Sequence, residues 1–453
     1  MDKAALIQKY NVPVPRYTSY PTVPMWDFRD GHIEKWLSIV QRTFKETNQT
    51  KGISIYIHLP FCESLCTYCG CTKMITKNHK VEDNYIRAVL SEWSHYLQLF
   101  DEPPRIQQIH LGGGTPTFFS PGNLERLMQN LLEPAEVLED REFSFEGHPN
   151  NTTSAHLEVL AKLGFNRLSL GVQDFDLKVQ TAINRIQPYK SVVNTTLAAR
   201  ENGYHSINYD LIYGLPYQTL EVIRDTFTKV LELKPERIAY YSYAHVPWKE
   251  RGQRLYSHID LPDNEYKRKL YETGRDILLK AGYKEIGMDH FALPQDEMYL
   301  AHIEGNLHRN FMGYTVSHTD LLIGLGASSI GDAKYAYSQN TKKIREYERM
   351  ISENQIPIFN GHVLTETELQ TRKIIQNIII RGKTTLTQQN LKLLSKEKRA
   401  KLKKMQEEGL LIYDENRLEV TPEGMAFVRN ICSLFDASQK DDTNNERRYS
   451  KAI

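Results

Sequence analysis

Four of the chain's five cysteines lie at positions 62, 66, 69 and 71. The C-x3-C-x2-C spacing of Cys62, Cys66 and Cys69 allows three thiolates to hold an iron–sulfur cluster, whose usual protein ligands are cysteine sulfurs. Three ligands for four irons leave one iron open, and an open coordination position distinguishes a reactive metal site from a structural one. The spacing therefore predicts a reactive iron–sulfur centre in this loop.

Two structural interpretations compete with this prediction. Clustered cysteines also bind zinc, but zinc modules usually place two ligand pairs well apart in the sequence. The fifth cysteine, Cys432, supplies no second pair. Disulfides are disfavoured because the N-terminal segment does not resemble a secretory leader. We therefore favour iron–sulfur over zinc.

The cysteine loop follows an apolar, β-branched run at 53–57 that predicts a buried strand ending before Pro60. From there to about residue 300, similar runs alternate with segments whose apolar residues recur three and four apart, a spacing typical of helices. The other strands are predicted at 106–111, 142–147, 167–173, 206–216 and 237–247, and the helices include 124–133 and 156–164. Glycines 164, 203 and 282 are predicted at helix C-termini.

This alternation predicts an α/β fold with a parallel sheet and right-handed crossovers. Each strand ends in a polar or glycine-containing loop, and in β/α barrels the chemistry gathers at that end of the strands. A Rossmann fold is the alternative, but no G-x-G-x-x-G follows the first strand. We therefore predict a full or partial parallel β/α barrel over 51–300.

Three further segments flank the predicted barrel. Residues 1–50, with helices at 4–10 and 32–48 and a proline-rich stretch between them, form an N-terminal extension expected to reach toward the active site. Residues 301–364 are predicted to be a site-closing insertion and connection. Residues 365–453 are predicted to be a mostly helical, winged-helix-like domain, with helices at 365–381, 387–393, 396–408 and 422–435, a hairpin at 410–421 and a flexible tail.

The charge and hydropathy of the chain disfavour two classes of binding partner, nucleic acids and membranes. A formal net charge of +1 over 453 residues gives no global field that favours nucleic acid or an anionic membrane. No apolar run approaches the length of a transmembrane helix. We therefore expect a cytoplasmic protein without nucleic-acid or membrane partners.

The cysteine loop resembles the radical S-adenosylmethionine signature, in which the cofactor's amino and carboxylate groups chelate the free iron. Tyr68, before the third cysteine, belongs to the same pattern. Three further features narrow the resemblance to one family within that superfamily. They are PRYTSYPT (15–22), the C-G-C of 69–71, and the run HLGGGTPT…GVQDF…NYDLIYGLP…YAH…GMDHFA…HRNFMGY. Together they resemble the oxygen-independent coproporphyrinogen III oxidase family over nearly the whole chain.

This resemblance implies a reaction. A 5′-deoxyadenosyl radical, formed when S-adenosylmethionine is cleaved at a 4Fe-4S cluster, abstracts hydrogen from a propionate side chain. Loss of carbon dioxide and an electron leaves a vinyl group, and two such steps convert coproporphyrinogen III to protoporphyrinogen IX in haem biosynthesis. The resemblance also implies a low-potential electron donor such as a flavodoxin or ferredoxin, and a monomer is expected.

The resemblance also implies residue roles. It assigns the cluster to Cys62, Cys66 and Cys69, and makes Cys71 a non-ligand that is a catalytic candidate together with Tyr56 and His58, a possible proton relay. It assigns S-adenosylmethionine to Tyr56, Tyr68, Gly70, Gly113, Gly114, Thr115 and Glu146, a second S-adenosylmethionine to Gln173, Arg185 and Asp210, and apolar walls to Ala244 and Ile330. The sequence departs from the family's Glu-Val-Asp-Pro pattern, since it has Glu146-Gly147-His148-Pro149. The role of His148 is left open.

Other functions remain as alternatives. A haem-trafficking relative would bind haem without oxidising it, but such relatives typically lack the fourth cysteine and the early Tyr-Thr-Ser-Tyr-Pro-Thr run, both of which this chain has. A radical S-adenosylmethionine haem methyltransferase would add mass to its substrate. A structural zinc protein would contain no iron.

Overall fold

The computed structural model describes residues 3–414, 416–438 and 449. Its α-helices, in chain order, are α1 Lys3–Tyr10, α2 His32–Lys51, α3 Val81–Leu97, α4 Pro121–Leu132, α5 Ser154–Lys162, α6 Leu177–Ala182, α7 Tyr189–Glu201, α8 Leu220–Leu233, α9 Asn264–Lys280, α10 Glu297–Glu304, α11 Ile344–Ser352, α12 Glu366–Arg381, α13 Gln388–Lys392, α14 Lys396–Glu407 and α15 Val428–Phe435. Short 3₁₀ helices cover Val23–Met25, Pro116–Phe118, Arg251–Leu255 and Glu423–Phe427.

The strands are β1 Ile53–Leu59, β2 Phe61–Cys62, β3 Met74–Ile75, β4 Arg105–Gly113, β5 Glu136–Gly147, β6 Arg167–Gln173, β7 Ser206–Tyr213, β8 Arg237–Ser242, β9 Lys284–Gly287, β10 His290–Ala292, β11 His308–Asn310, β12 Gly313–Thr315, β13 Leu322–Leu325, β14 Ile330–Asp332, β15 Ala336–Asn340, β16 Ile358–Val363, β17 Lys383–Thr385, β18 Leu411–Tyr413 and β19 Arg417–Val420. The described chain forms two compact units. The larger contains residues 29–300 and 317–360, and the smaller contains the described residues of 1–28, 301–316 and 361–453.

The larger unit is built on a long, mostly parallel sheet. The strands of this sheet that lie wholly in the unit follow the order β15-β14-β13-β1-β4-β5-β6-β7-β8-β10-β9. The run from β13 to β8 is parallel throughout, and β14 and β10 pair antiparallel at its two sides. Because the described sheet has two ends, the fold is an open, partial β/α barrel. The predicted fold class is confirmed.

The local sequence explains why these segments take these forms. Six of the seven side chains of β1 are buried, as expected for a β-branched strand covered on both faces. Helix α4 begins with the Ser120 side chain accepting a hydrogen bond from the Asn123 amide, followed by a proline in the first turn. The glycines predicted at helix C-termini are confirmed, since Gly164, Gly203 and Gly282 follow α5, α7 and α9 with φ of +94°, +86° and +93°.

The segment after residue 300 contributes more to the sheet than the sequence predicted. Strand β13 pairs in parallel with β1, with Tyr56 opposite Gly324. Strands β14 and β15 then extend the sheet beyond β13. The predicted site-closing role of 301–364, and the predicted division of the chain into four segments, stay predictions.

The smaller unit contains helices α12–α15 and a three-stranded antiparallel sheet in the order β17-β19-β18. The four helices and the hairpin at 411–420 lie where the sequence predicted helices and a hairpin, and the winged-helix-like arrangement stays a prediction. Part of the predicted turn, Glu415, and most of the predicted flexible tail lie outside the described residues. In the described part of the chain, no helix has the length and hydropathy needed to cross a membrane.

Within the smaller unit, buried arginines hold the N-terminal segment. The Arg429 guanidinium donates to the Pro15 carbonyl (3.1 Å), and Arg309 donates to the Tyr17 carbonyl (2.8 Å). The Tyr17 hydroxyl donates to the Asp436 carboxylate (3.1 Å). The proline-rich segment is therefore fixed by specific contacts, while its predicted reach toward the active site stays a prediction.

A buried carboxyl group in the larger unit predicts how stability depends on pH. Glu92 accepts hydrogen bonds from the Gly326 amide (2.8 Å), the Tyr347 hydroxyl (2.7 Å) and the Asn340 side-chain amide (2.6 Å). Burial outweighs these bonds and raises the pKa of Glu92 to about 7. The folded state therefore holds a proton that the unfolded state releases near pH 4.5.

We expect the free energy of unfolding to fall by about 3 kcal/mol as the pH rises from about 4.5 to above 7, because the ionised carboxylate is disfavoured in the core. Glu92→Gln should lack this component, whereas Glu139→Gln, at an exposed position, should keep it. Chemical denaturation from pH 4.5 to 8 measures the difference. Equal pH dependence in the wild type and the Glu92 variant would contradict the assignment.

Candidate active site

A cavity of about 420 Å³ lies in the larger unit, where the parallel strands end. Strand β4 ends there at Gly113, β5 at Gly147 and β6 at Gln173, and Asp210 of β7 reaches the same space. The predicted site residues that line the cavity are Cys62, Cys66, Tyr68, Cys69, Cys71, Gly113, Gly114, Thr115, Glu146, Gln173, Arg185 and Asp210. The fold thus brings together residues that are almost 150 positions apart in the sequence.

The loop that carries the cysteines is fixed first to the neighbouring strand. The Gly114 amide donates to the Leu59 carbonyl (2.9 Å) and the Thr115 amide to the Phe61 carbonyl (3.0 Å). The Thr115 hydroxyl also donates to the Cys62 sulfur (3.3 Å). The chain entering the loop is therefore held against the end of β4.

The same loop is also fixed to the turn that follows α6. The Thr67 amide donates to the Ile183 carbonyl (3.0 Å), and the Asn184 side chain donates to the Leu65 carbonyl (2.8 Å). Arg185 donates to the Cys66 sulfur (3.5 Å). Asn184 adopts a left-handed φ of +51°, which asparagine tolerates better than most residues. This turn therefore gives the loop a second set of contacts, separate from those to β4.

The cysteine thiols differ in their surroundings. Burial raises the pKa of Cys62 to about 11. A hydrogen bond from the Cys71 thiol lowers the pKa of Cys69 to about 6, since it stabilises the thiolate. Lys73 donates to the carbonyls of Cys69 (2.9 Å) and Cys71 (3.2 Å) and closes the end of the loop. A metal would bind Cys62 by displacing its proton.

Two glycines allow the backbone to pass close to this loop. A Cβ atom on Gly114 would lie 2.6 Å from the Pro60 carbonyl carbon, and one on Gly113 would lie 2.6 Å from the His58 ring. Gly113 also has φ of +113°, a conformation that favours glycine. These positions require glycine for packing, and both glycines line the cavity.

Glu146 is held as a carboxylate at the end of β5. It accepts hydrogen bonds from the Gly113 amide (3.3 Å) and from Nε2 of His110 (3.4 Å). Burial would raise the pKa of Glu146, but the bond from His110 and the other donors outweigh burial and lower it. The His110 ring stacks on Tyr56, with centroids 5.9 Å apart. His110 therefore links Tyr56 to Glu146.

Gln173, Arg185 and Asp210 form the part of the cavity farther along the sheet. Arg185 donates to the Gly171 carbonyl (2.6 Å) and to the Gln187 side chain (3.2 Å). Asp210 accepts from the Ser169 hydroxyl (3.0 Å), yet burial and the nearby Glu146 charge raise its pKa to about 6. The cavity therefore holds a fixed cation, a fixed anion and an acid that titrates near neutral pH.

His58 and Tyr56 lie behind the cavity wall. Nε2 of His58 donates to the Thr72 carbonyl (2.9 Å), which requires that Nδ1 accept from the Tyr56 hydroxyl (3.0 Å). Burial lowers the pKa of His58, which keeps the ring neutral. Both ring nitrogens are thus bonded within the protein, and the structure gives His58 a role in fixing the end of the cysteine loop. Its predicted proton relay, and the catalytic role of Tyr56, stay predictions.

Gly70, Ala244 and Ile330 occupy the margins. Gly70 and Ala244 are exposed, and Ile330 is half-buried next to Gly324. The Gln253 side chain donates to the carbonyls of Ala244 (3.3 Å) and Tyr68 (3.4 Å), so Ala244 lies near the cysteine loop. None of the three lines the cavity itself. Their predicted roles stay predictions.

Several residues that line the cavity were not singled out from the sequence. They are polar or charged side chains close to the predicted strand ends or inside the cysteine loop: Glu63, Ser64, Lys73, Lys77, Asn150, Asn151, Ser169 and Asn184. Position after a strand was the available signal for Asn150 and Asn151, whereas Ser169 lies inside β6, two residues before Gly171. The sequence contains no comparable signal for Asn184, which reaches the loop only through the fold.

The comparisons with known proteins agree with this geometry. A profile of the Radical SAM superfamily matches residues 56–230. The oxygen-independent coproporphyrinogen III oxidases of Helicobacter pylori (strain J99) and Escherichia coli (strain K12) are 37% and 38% identical to the chain, and each alignment covers at least 98% of both proteins. The solved structure of the E. coli coproporphyrinogen III oxidase, described as a radical SAM enzyme, superposes with a TM-score of 0.87 at 36% identity over 96% of this chain and 99% of that one.

The chain belongs to the oxygen-independent coproporphyrinogen III oxidase family. Membership in the wider radical S-adenosylmethionine superfamily implies a 4Fe-4S cluster and S-adenosylmethionine. The residues of this family member fit such a cluster, since the thiols of Cys62, Cys66 and Cys69 line one cavity together with Gly113 and Gly114. Among the described residues, no group of three His, Cys, Asp or Glu side chains is arranged to hold a single metal ion. A cluster does not require that arrangement, because each cysteine binds a different iron.

The close packing at Gly114 predicts that this family member depends on glycine there. We expect Gly114→Ala to lower the free energy of unfolding by about 1–3 kcal/mol and to reduce iron incorporation, because the new methyl group would collide with backbone atoms of the cysteine loop. Gly122→Ala is the matched control, since a Cβ there meets nothing within 4 Å. Denaturation curves and iron per chain after reconstitution test this. Equal behaviour of the two variants would contradict the close packing.

Proposed function

We propose that the chain catalyses the oxygen-independent oxidative decarboxylation of two propionate side chains of coproporphyrinogen III to vinyl groups, giving protoporphyrinogen IX. The observation that carries the proposal is the placement of three cysteine thiols at the edge of a cavity that also holds Glu146 and Arg185. The relatives named for this activity match the chain over nearly its full length, which supports the same assignment.

In this proposal Cys62, Cys66 and Cys69 hold the cluster. When bound, the cluster and S-adenosylmethionine supply a carbon radical able to abstract hydrogen from an unactivated position. The protein holds the thiols in place through the bonds to the β4 end and to the turn after α6. Cys71 is not a ligand in this scheme, and its thiol instead donates to Cys69.

The charges of the cavity suit a zwitterionic cofactor. Glu146 provides an anion for the amino group of S-adenosylmethionine, and the Gly113–Thr115 backbone provides close polar contacts. Arg185 provides a fixed cation for a carboxylate. We assign a second S-adenosylmethionine to Gln173 and Asp210, which lie one and two strands beyond Glu146, and to Arg185 in the turn after α6.

The surroundings of the reaction are part of the proposal. A reducing cytoplasm suits a loop of free thiols. The chain acts as a monomer and receives electrons from a low-potential carrier such as a flavodoxin or ferredoxin. Tyr56 and His58 hold the end of β1 behind the cavity, and from that position they take part in the reaction.

Anaerobic incubation with coproporphyrinogen III, S-adenosylmethionine and a strong reductant tests the function. We expect product masses that correspond to loss of one and then two molecules of carbon dioxide, each together with two hydrogens, because each propionate becomes a vinyl group. An added methyl group would instead identify a methyltransferase. Tight haem uptake without any change of substrate mass would identify a trafficking protein.

The ligand assignment predicts a difference between neighbouring cysteines. Cys66→Ala should lose most of the iron after reconstitution, because two thiolates remain for the cluster. Cys71→Ala should keep nearly all of it, because its thiol only supports Cys69. Iron and sulfide per chain and the visible absorbance of oxygen-free protein measure both. Loss of iron in the Cys71 variant to the level of the Cys66 variant would remove the assignment of Cys71 as a non-ligand.

A further inference from the structure

His148 lies inside the cavity, in the sequence Glu146-Gly147-His148-Pro149 that follows β5. The sequence left its role open. Its neighbours in the cavity wall include Asn150, Gln173 and Arg185. The ring is half-buried, so it can meet a ligand without being part of the protein core.

One hydrogen bond assigns the tautomer of this ring. The backbone amide of Asn150 donates to Nδ1 of His148 (3.1 Å). A nitrogen that accepts a hydrogen bond carries no proton, so the proton of the neutral ring is on Nε2. Burial first, and then the Arg185 charge, lower the pKa of His148 to about 3. The ring is therefore neutral at physiological pH and has one donor, the Nε2–H group.

The remaining donor has no protein partner. Among the described residues, Nδ1 makes the one hydrogen bond found for this side chain, and Nε2 makes none. Arg185 is similar, because within the described chain its guanidinium contacts a carbonyl, a side-chain amide and a thiol but forms no ion pair with a carboxylate. A cation and a neutral donor thus line the same cavity, and their hydrogen bonds pair neither of them with a carboxylate of the described residues.

A carboxylate is the group that satisfies both. It would accept a charge-assisted hydrogen bond from Arg185 and a second bond from the imidazole. An acid at position 148 would instead supply a protein anion close to Arg185 and compete with a bound carboxylate. Histidine at this position therefore leaves the Arg185 charge available to a ligand.

We propose that His148 donates a hydrogen bond from Nε2 to a ligand carboxylate that binds in this cavity beside Arg185. This inference rests on the proposed function, which supplies two sources for that carboxylate. One is the methionine carboxylate of S-adenosylmethionine, and the other is a propionate of the tetrapyrrole substrate. Both present the same chemistry to His148.

His148→Asn separates this role from a purely structural one. The asparagine side-chain oxygen can still accept from the Asn150 amide, since asparagine commonly accepts from the amide two residues onward. It cannot reach the position of Nε2–H. His148→Asp also keeps the turn and adds a negative charge, so it should weaken a carboxylate ligand further. Unchanged thermal unfolding midpoints verify that both variants fold.

The test is equilibrium binding to oxygen-free, cluster-loaded protein, measured by calorimetry. The ligands are S-adenosylmethionine and its decarboxylated analogue, and coproporphyrinogen III and its tetraamide. We expect His148→Asn to weaken one carboxylate ligand by about ten- to a hundredfold, as for the loss of one hydrogen bond to a charged group, and to leave its carboxylate-free counterpart unchanged. The affected pair identifies the source of the carboxylate.

Two results would overturn the inference. One is unchanged affinity for both carboxylate ligands in both variants. The other is an equal loss for a ligand and its carboxylate-free counterpart, which would mean that His148 only shapes the cavity. If the wild-type protein bound neither S-adenosylmethionine nor coproporphyrinogen III, the proposed function itself would fail, and that outcome is distinct because it does not involve the variants.

Discussion

The site depends on a short loop being held from two sides. Hydrogen bonds from the backbone amides at the end of β4 to the Leu59 and Phe61 carbonyls hold the chain that enters the cysteine loop. Hydrogen bonds of Thr67 and Asn184 join the loop to the turn after α6. Thiolates that share a cluster must stay at fixed separations, and a free loop of this length would lose conformational entropy on binding. The hydrogen bonds to β4 and to the turn after α6 already restrict the loop before a cluster binds, so less conformational entropy is lost on binding. The rest of the larger unit provides the two anchors.

The order of the parallel strands then determines which charges meet. Because β4, β5, β6 and β7 are consecutive neighbours, their carboxyl ends place Gly113, Glu146, Gln173 and Asp210 side by side. The charge states of the two acids, Glu146 and Asp210, follow from this order. Glu146 is stabilised as an anion by donors on β4, whereas Asp210, farther along the sheet, is held partly neutral by burial and by Glu146 itself. The cavity wall therefore contains the Glu146 anion and the Arg185 cation, and Arg185 also contacts the cysteine loop at Cys66.

The sequence predicted the parts of this fold that rely on local patterns. The barrel strands at 53–57, 106–111 and 167–173 are long, apolar runs, and each appears as a strand in the larger unit. Strands β13 and β14 have four and three residues, lie among glycines, and gain their stability from pairing with β1 and β15. Such pairing is non-local, so no short window of sequence contains it. The same reason applies to Asn184, whose partner lies more than a hundred positions earlier.

The structure distinguishes side chains that can contact a ligand from side chains that only position other residues. A sequence motif does not make this distinction. Glu146 and His148 line the cavity, whereas both ring nitrogens of His58, which is much closer to the cysteines in the sequence, form hydrogen bonds with Tyr56 and Thr72. The two histidines differ in the hydrogen-bond partners of their ring nitrogens. His58 has a protein partner on each side and so fixes the loop, whereas His148 has one on the Nδ1 side and an open cavity on the other. The free donor of His148 at the cavity wall can therefore serve a ligand, whereas His58 has no ring nitrogen left for one.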